Sequence, residues 1–408
     1  MTICVQGSHT ASNHAVRQMD ILLVQKVKQC LFLLSSTILL QFFWAIHKRN
    51  TQSQAKMKFF NTAILLTTLG SSGTLAQNAY VDHAVSATQT LINTYYDSTT
   101  GLFDEKWWNT AAILTSLSGL QALKPGATTP DIPKLLDTVF NLDKEKFTQM
   151  YQFYDDEGWW ALNWLAAYDL TGNQAYLSEA STIFDDMTRG WQATCGGIWW
   201  NKAHQQENGI TNVLFLDVCA QMAVRSPSNT TYLDWAQKQW NWFSASGLLD
   251  ANAESGTVLG SYNFTTCTAF GEGLTYVQGV AIDALIALNK ATPAPEFAGN
   301  ATAIADASIT WSRYLDDNGI LTEPVGTFDQ DTAESKGIFM YYLSKLQAVA
   351  PKQSYVDFAT KNADSIWSSA QQGNGLIGPK WDSNTDAATV ASHSSATMAL
   401  IAAARMQG

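Results

Sequence analysis

From Tyr80 to Gln407 the chain is written in one pattern: Ala-rich amphipathic runs such as AVSATQTLINTYY, NTAAILTSLSGLQAL, GVAIDALIALNKA, GIFMYYLSKLQAVA and SSATMALIAAA, separated by Gly, Pro, Asn and Asp. Apolar residues recur in them at the helical period, and no long alternating segment argues for a sheet. A mark recurs along the runs, in loops and in one case where a helix opens. A glycine followed by apolar or aromatic residues stands in TGLFDEKWW (Gly101), EGWW (Gly158), CGGIWW (Gly197), SGLLDA (Gly247), NGILTEP (Gly319) and NGLIGPKW (Gly375). Marks a helical hairpin apart predict six repeats of one unit. Closed in a ring, six hairpins give an all-α (α/α)6 toroid whose inner helix ends surround one cleft. An open solenoid is the alternative, and it lacks a single place where the aromatic loops converge.

Within this frame Tyr151 to Tyr168, YQFYDDEGWWALNWLAAY, sets two adjacent carboxylates, Asp155 and Asp156, in front of a Trp-rich helix. Asp156, Glu157 and Gly158 read as the helix start. Acids there ordinarily cap free N–H groups and suit the positive end of the helix dipole. Their company points further. Only 14% of residues are charged, while 15 Trp, 14 Tyr and 18 Phe exceed what a core alone takes, so some rings are expected in a groove. Flat faces to stack on sugars beside a pair of acids are what chemistry at a glycosidic bond needs.

Other classes fall away. A net charge of −11 lacks the basic clusters that nucleic acid or an anionic membrane requires. The six His form no cluster, no Ser elbow is present, and five cysteines show no C-x-x-C spacing, so neither metal nor cofactor is predicted. Cys219 lies in the apolar run VLFLDVCAQMAV and reads as buried. Cys195 and Cys267 both lie in loops, and a disulfide between them is left open. Asp185 and Asp186 form another acid pair, but the pattern places them within a helix, as solvated or salt-bridged surface residues.

Residues 1–56 do not match the rest of the chain and read as an upstream extension: a polar, basic leader, then an apolar run from Leu31 to Ile46, a little short to span a membrane. At Met57 a second start, MKFFNTAILLTTLGSSGTLAQ, has the charged end, apolar stretch and small residues of a secretory signal over 57–76. The helical domain is then 77–408, and a membrane anchor over Leu31–Ile46 is the rival reading. Sequons at Asn229, Asn263 and Asn300 fit a glycoprotein that is secreted or held in a cell wall. The end, TMALIAAARMQG, reads as a core helix without the spacer and tail of a GPI signal.

The run DDEGWWALNWLAAYDLTGNQAYLSEASTIFDDMTRGW, followed by TCGGIWWNK and ENGITNVLFLDVCAQMA, resembles glycoside hydrolase family 76, the fungal and bacterial endo-α-1,6-mannanases. KWWNTAAILTSL upstream, and YLDWAQKQWNWFSASGLL, TYVQGVAIDAL, DNGILTEP and KGIFMYYLSKL downstream, follow in order, so the likeness covers about residues 80 to 370. The resemblance implies an (α/α)6 fold and retaining hydrolysis of α-1,6-mannosidic bonds, with Asp155 as nucleophile and Asp156 as acid/base. Mannan or mannooligosaccharides would be the partner of a monomer. Asn208, Asn212, Tyr276 and Gln278 match polar positions of the family motifs and are candidates for mannose hydroxyls, with capping and turn bonds as the alternative. Trp107, Trp108, Trp199 and Trp200 beside the glycine marks are candidates for stacking, with core packing as the alternative; Asn109 and Trp159 complete the set. Val277 departs from the family's TYNQG motif, and Val325 stands where the family often has Cys. Two rival functions stay open: a cell-wall transglycosylase, and a non-catalytic mannan-binding protein.

The chemistry sets a geometric demand. Retention needs two carboxyl groups roughly 5–5.5 Å apart. Neighbours on a strand point to opposite faces, whereas a loop entering a helix lets both face one cleft. Such proximity drives one of the two pKa values up.

Overall fold

Inner and outer helices differ in how their apolar residues are distributed, and that difference builds the ring. The computed structural model describes residues 79–143, 152–192, 194–250 and 257–407; the leader and signal readings lie outside them. In chain order the helices are α1 (79–95), α2 (Trp107–Leu123), α3 (Ile132–Asp143), α4 (Tyr154–Thr171), α5 (Gln174–Arg189), α6 (Gly209–Arg225), α7 (Thr230–Ala245), α8 (Thr275–Ala291), α9 (Pro295–Ser308), α10 (Gln330–Val349), α11 (Gln353–Ser365) and α12 (Val390–Met406). Even-numbered helices are buried around most of their circumference; in α12 every residue from Val390 to Ala404 is buried. Odd-numbered helices bury one stripe, as α5 does with Tyr176, Ala180, Ile183, Phe184 and Met187. Each even-numbered helix packs on the next, and α12 packs back on α2. The result is the (α/α)6 toroid.

Close approach inside the ring needs small residues. A Cβ on Gly337 would lie 2.3 Å from the Ser395 carbonyl oxygen, and one on Gly158 would lie 2.8 Å from Leu214 Cβ. Gly158, the one mark read from sequence as opening a helix, is a packing position within the first turns of α4. The other five marks are turns, with φ of 75° at Gly101, 85° at Gly197, 84° at Gly247, 69° at Gly319 and 81° at Gly375. All five lie in links from an outer to the next inner helix. The apolar residue after each turn plugs the space beneath it: Phe103, Ile198, Leu248, Leu321 and Ile377 are buried.

A second regularity holds these links down. At the fourth residue of four inner helices a polar side chain accepts a hydrogen bond from the link backbone. Thr110 takes Phe103 N at 3.0 Å, Asn212 takes Ile198 N at 3.0 Å, Gln278 takes Val258 N at 2.7 Å and His393 takes Ile377 N at 3.1 Å. Buried amides in the links are thereby satisfied, as burial demands. All these links gather at one mouth of the ring, around the N-terminal ends of the inner helices.

The strands are few. β1 (Tyr96–Asp97) pairs with β2 (Leu102–Phe103), while β3 (Glu207–Asn208), β4 (Leu259–Asn263) and β5 (Thr268–Glu272) form an antiparallel sheet in that order. Cys195 and Cys267 are bridged, tying the link before α6 to the β4–β5 turn, and Cys219 is buried as a free thiol. No described helix is long and apolar enough to cross a membrane.

Candidate active site

Helix α4 begins at Tyr154, two residues before the position read from sequence, because Tyr154 N donates to Trp200 O at 2.8 Å and fixes the first turn early. Phe153 stands at the N-cap and offers no side-chain acceptor. Asp155, Asp156 and Glu157 therefore all lie in the first turn, and the dyad does not act as an N-cap. Asp155 Oδ1 accepts from Asp156 N at 3.1 Å, and its Oδ2 accepts from the Trp200 indole N–H at 2.9 Å. Among the described residues neither aspartate forms an ion pair with Lys, Arg or His.

Their electrostatics follow from that setting. Burial raises both above the ordinary carboxylate range. On Asp155 the Trp200 and Asp156 N–H groups work against the rise, because they bind the charged form. On Asp156 nothing opposes it, and the charges of Asp155 and Asp331 push it further. The two acids are alike in sequence and unlike in surroundings.

Aromatic rings wall the dyad. Trp108 stacks on Trp159 with centroids 5.5 Å apart, and Tyr276 lies 6.2 Å from Trp159 and 6.5 Å from Trp108. Across the ring, in the first turn of α10, Asp331 accepts a hydrogen bond from Trp108. Burial and the charge of Asp329 raise its pKa. Asp331 was missed in the sequence. Its segment FDQDTAES looks like an ordinary helix start, and Asp329 does form a capping box with Thr332.

The structure thus brings Asp155, Asp156, Trp108, Trp159, Trp200 and Tyr276 together. The remaining candidates have other surroundings. Asn212 and Gln278 are fully buried link clamps; Asn212 also takes Gln239 Nε2 at 3.0 Å, and Gln278 donates to Val258 O at 2.8 Å. Asn208 caps α6 by accepting from Thr211 N at 3.0 Å. Asn109 donates to buried Glu334, which also accepts from Ser394 at 2.8 Å. Trp107 packs on Trp160, and Trp199 stacks on His204 near Phe264. Val277 is buried in the core face of α8. Asp185 is exposed, while Asp186 pairs with Lys202 and Arg189. No group of three metal-ligating side chains occurs among the described residues.

The opposite mouth, at the C-terminal ends of the inner helices, holds a cavity of about 450 Å³ lined in part by Asp169, Gln221, Arg225, Asp283, Lys345 and Arg405. Here carboxylates meet cations: Asp169 pairs with Arg225, and buried Asp283 with Lys345.

Comparison with known proteins bears on the acid-bearing mouth. The profile of glycosyl hydrolase family 76 matches residues 79–408. A Saccharomyces cerevisiae protein named mannan endo-1,6-alpha-mannosidase DFG5 is 23% identical over 322 residues, 72% of this chain and 69% of that one. With a Schizosaccharomyces pombe relative the likeness is 28% over 172 residues, and the aligned part spans only 39% of that protein's length. Among solved structures, an inactive double-aspartate variant of the α-1,6-mannanase GH76A of Salegentibacter sp. HEL1_6, in complex with α-1,6-mannotetrose, superposes with a TM-score of 0.70 at 22% identity, covering 80% of this chain and 98% of that one.

Proposed function

Because the chain belongs to glycosyl hydrolase family 76, we propose that it cleaves α-1,6-mannosidic linkages within mannan, with retention, through a covalent mannosyl-enzyme. The observation that carries the reading is the unequal treatment of the dyad: Asp155 accepts two N–H donors, whereas Asp156 faces only like charge and burial. Asp155 is the ionised nucleophile and Asp156 the protonated acid. An Asp155 carboxylate oxygen bonds to the anomeric carbon as that carbon's bond to the glycosidic oxygen breaks, and the departing oxygen takes the Asp156 proton. Water then attacks the anomeric carbon, gives its proton to Asp156 and releases Asp155. Trp108 and Tyr276, both part-exposed, supply faces for the sugar rings over the buried Trp159, and no metal or cofactor enters.

Two further observations support the reading. The Salegentibacter structure pairs an inactive double-aspartate variant with an α-1,6-linked mannooligosaccharide, and Asp155 and Asp156 are an adjacent aspartate pair placed at the aromatic mouth of this chain, unlike Asp185 and Asp186, which lie within α5. The Cys195–Cys267 bridge suits an oxidising compartment, so we read the protein as secreted or wall-bound. Asn229 and Asn263 are exposed, open to N-glycans; Asn300 is half-buried within α9.

The test is incubation of secreted protein with linear α-1,6-mannan. Short mannooligosaccharides are expected. Lengthened chains would show transfer to a sugar instead of water, and unchanged polymer that still binds would reduce the protein to a lectin.

A further inference from the structure

Four inner helices use a neutral side chain at their fourth residue to hold the link that precedes them. In α4 that position is Glu157, and it holds something else. Glu157 is fully buried, and its Oε1 lies 2.6 Å from Lys202 Nζ; the same ammonium pairs with Asp186 of α5. Lys202 belongs to the stretch that carries Trp200. That stretch is also tied to the start of α4 by its backbone: Asn201 bridges Phe153, Tyr154 N donates to Trp200 O at 2.8 Å, and Lys202 N donates to Gln152 O at 3.0 Å. The Trp200 ring rests on Phe153 at 4.7 Å between centroids, which aims its N–H at Asp155.

We infer that Lys202 is a positioning residue: its clamp on Glu157 and Asp186 fixes the Trp200 indole against Asp155 and so keeps Asp155 the ionised member of the dyad. The clamp has the right reach and the right anchor. An ammonium held between two carboxyl groups, one of them out of water, has few other places to go, whereas a surface lysine would leave the loop free. Two backbone bonds alone would fix the height of this stretch but leave the side chains on it free to turn. The groups facing Asp155 are Asp156 on its own helix, Tyr276 on α8, Asp331 on α10 and the Trp200 N–H from the link. Of these, the indole N–H and the Asp156 backbone N–H favour the charged form. Around Lys202 stand Glu157, Asp186 and the Tyr154 ring at 5.6 Å, with Arg189 on the far side of Asp186.

This inference rests on Asp155 being the nucleophile, and two readouts separate the two ideas. The first is the pH profile of kcat/KM on linear α-1,6-mannan. Lys202→Met is expected to move the acidic limb upward by about one pH unit, the size of losing one hydrogen bond to a carboxylate, and to lower kcat about tenfold with KM little changed. Lys202→Arg is expected to restore both, and Glu157→Gln to give a smaller shift because Asp186 still holds the ammonium. The second readout needs no turnover: the Trp200 indole N–H resonance, identified by its loss in Trp200→Phe, should follow the Asp155 titration in the native protein and cease to do so in Lys202→Met. A folded Lys202→Met with an unchanged limb and an unchanged indole titration would overturn the inference. An inactive native protein would instead sink the proposed function and leave the indole measurement to judge the clamp. Should Lys202→Met not fold, Glu157→Gln decides by the same two readouts, an unmoved limb and indole counting against the clamp.

Discussion

Toward the C-terminal mouth of the ring acids meet cations, Asp169 with Arg225 and Asp283 with Lys345, and the fully buried Asp217 beside Asp283 is held protonated by burial and that neighbour's charge. At the N-terminal mouth Asp155, Asp156 and Asp331 have tryptophan rings, an indole N–H and one another. Both mouths are built from the same six helices, so the fold alone does not decide which acids are given cations. Paired charge settles a structure, whereas unpaired acids are held at a cost and raise their own pKa values, which is the state a proton donor needs. The helix dipole adds to the difference, since the N-terminal mouth is the end that tolerates negative charge.

The contrast can be broken first at the dyad. Asp155→Asn and Asp156→Asn should each lower mannan hydrolysis by about 10³-fold or more with the thermal midpoint preserved or raised, because each removes a poorly solvated acid. Near-native activity in either would end the assignment. At the opposite mouth the signs should reverse. Lys345→Met leaves Asp283, almost fully buried, without its cation, and should cost about 3–5 kcal/mol in urea unfolding while the folded fraction keeps its activity. A variant that kept its stability and lost its activity would show that the two mouths are not divided as described.

Stability against pH sharpens the same point from within the ring. Burial pushes Glu157 up to about 9 and Glu323 and Glu334 up to about 8. A carboxyl whose folded pKa is raised binds its proton more tightly in the native state. Its contribution is full below the unfolded value, near 4.5, and is lost as pH rises toward the folded value. The thermal midpoint should therefore be highest near pH 4–5 and fall toward pH 7; a midpoint that climbs over this range would contradict it. The smallest effect is expected at Asp169→Asn, since that side chain is 52% exposed. Loss of its Arg225 pair should cost under about 1 kcal/mol and leave turnover untouched.

Much of this was legible in the sequence. The helical period and the glycine marks predicted repeated helical hairpins, while the choice of a closed ring over an open solenoid is made by α12 packing back on α2, a contact between the two ends of the domain. EGWW was a false member: its glycine is small so that α4 can meet Leu214 of α6, and only a partner distant in sequence reveals that. Asp155 and Asp156 stood out because their own neighbours are aromatic. Asp331 did not, for its neighbours make a normal capping box and its role depends on facing α4 across the ring. Asn212 and Gln278 show the converse. Their motif positions suggested sugar hydroxyls, while their side chains are spent on the Ile198 and Val258 backbone. Nothing local distinguishes an amide that binds substrate from one that clamps a loop.

The division of labour between the two aspartates is the central claim, and chemical rescue tests it most directly. With an aryl α-1,6-mannobioside of good leaving ability and added azide, Asp156→Ala should yield the α-mannosyl azide, because the covalent intermediate still forms on Asp155 and is then intercepted. Asp155→Ala should yield the β-mannosyl azide, formed by direct displacement with Asp156 assisting departure. The opposite pairing of variant and anomer would contradict the account.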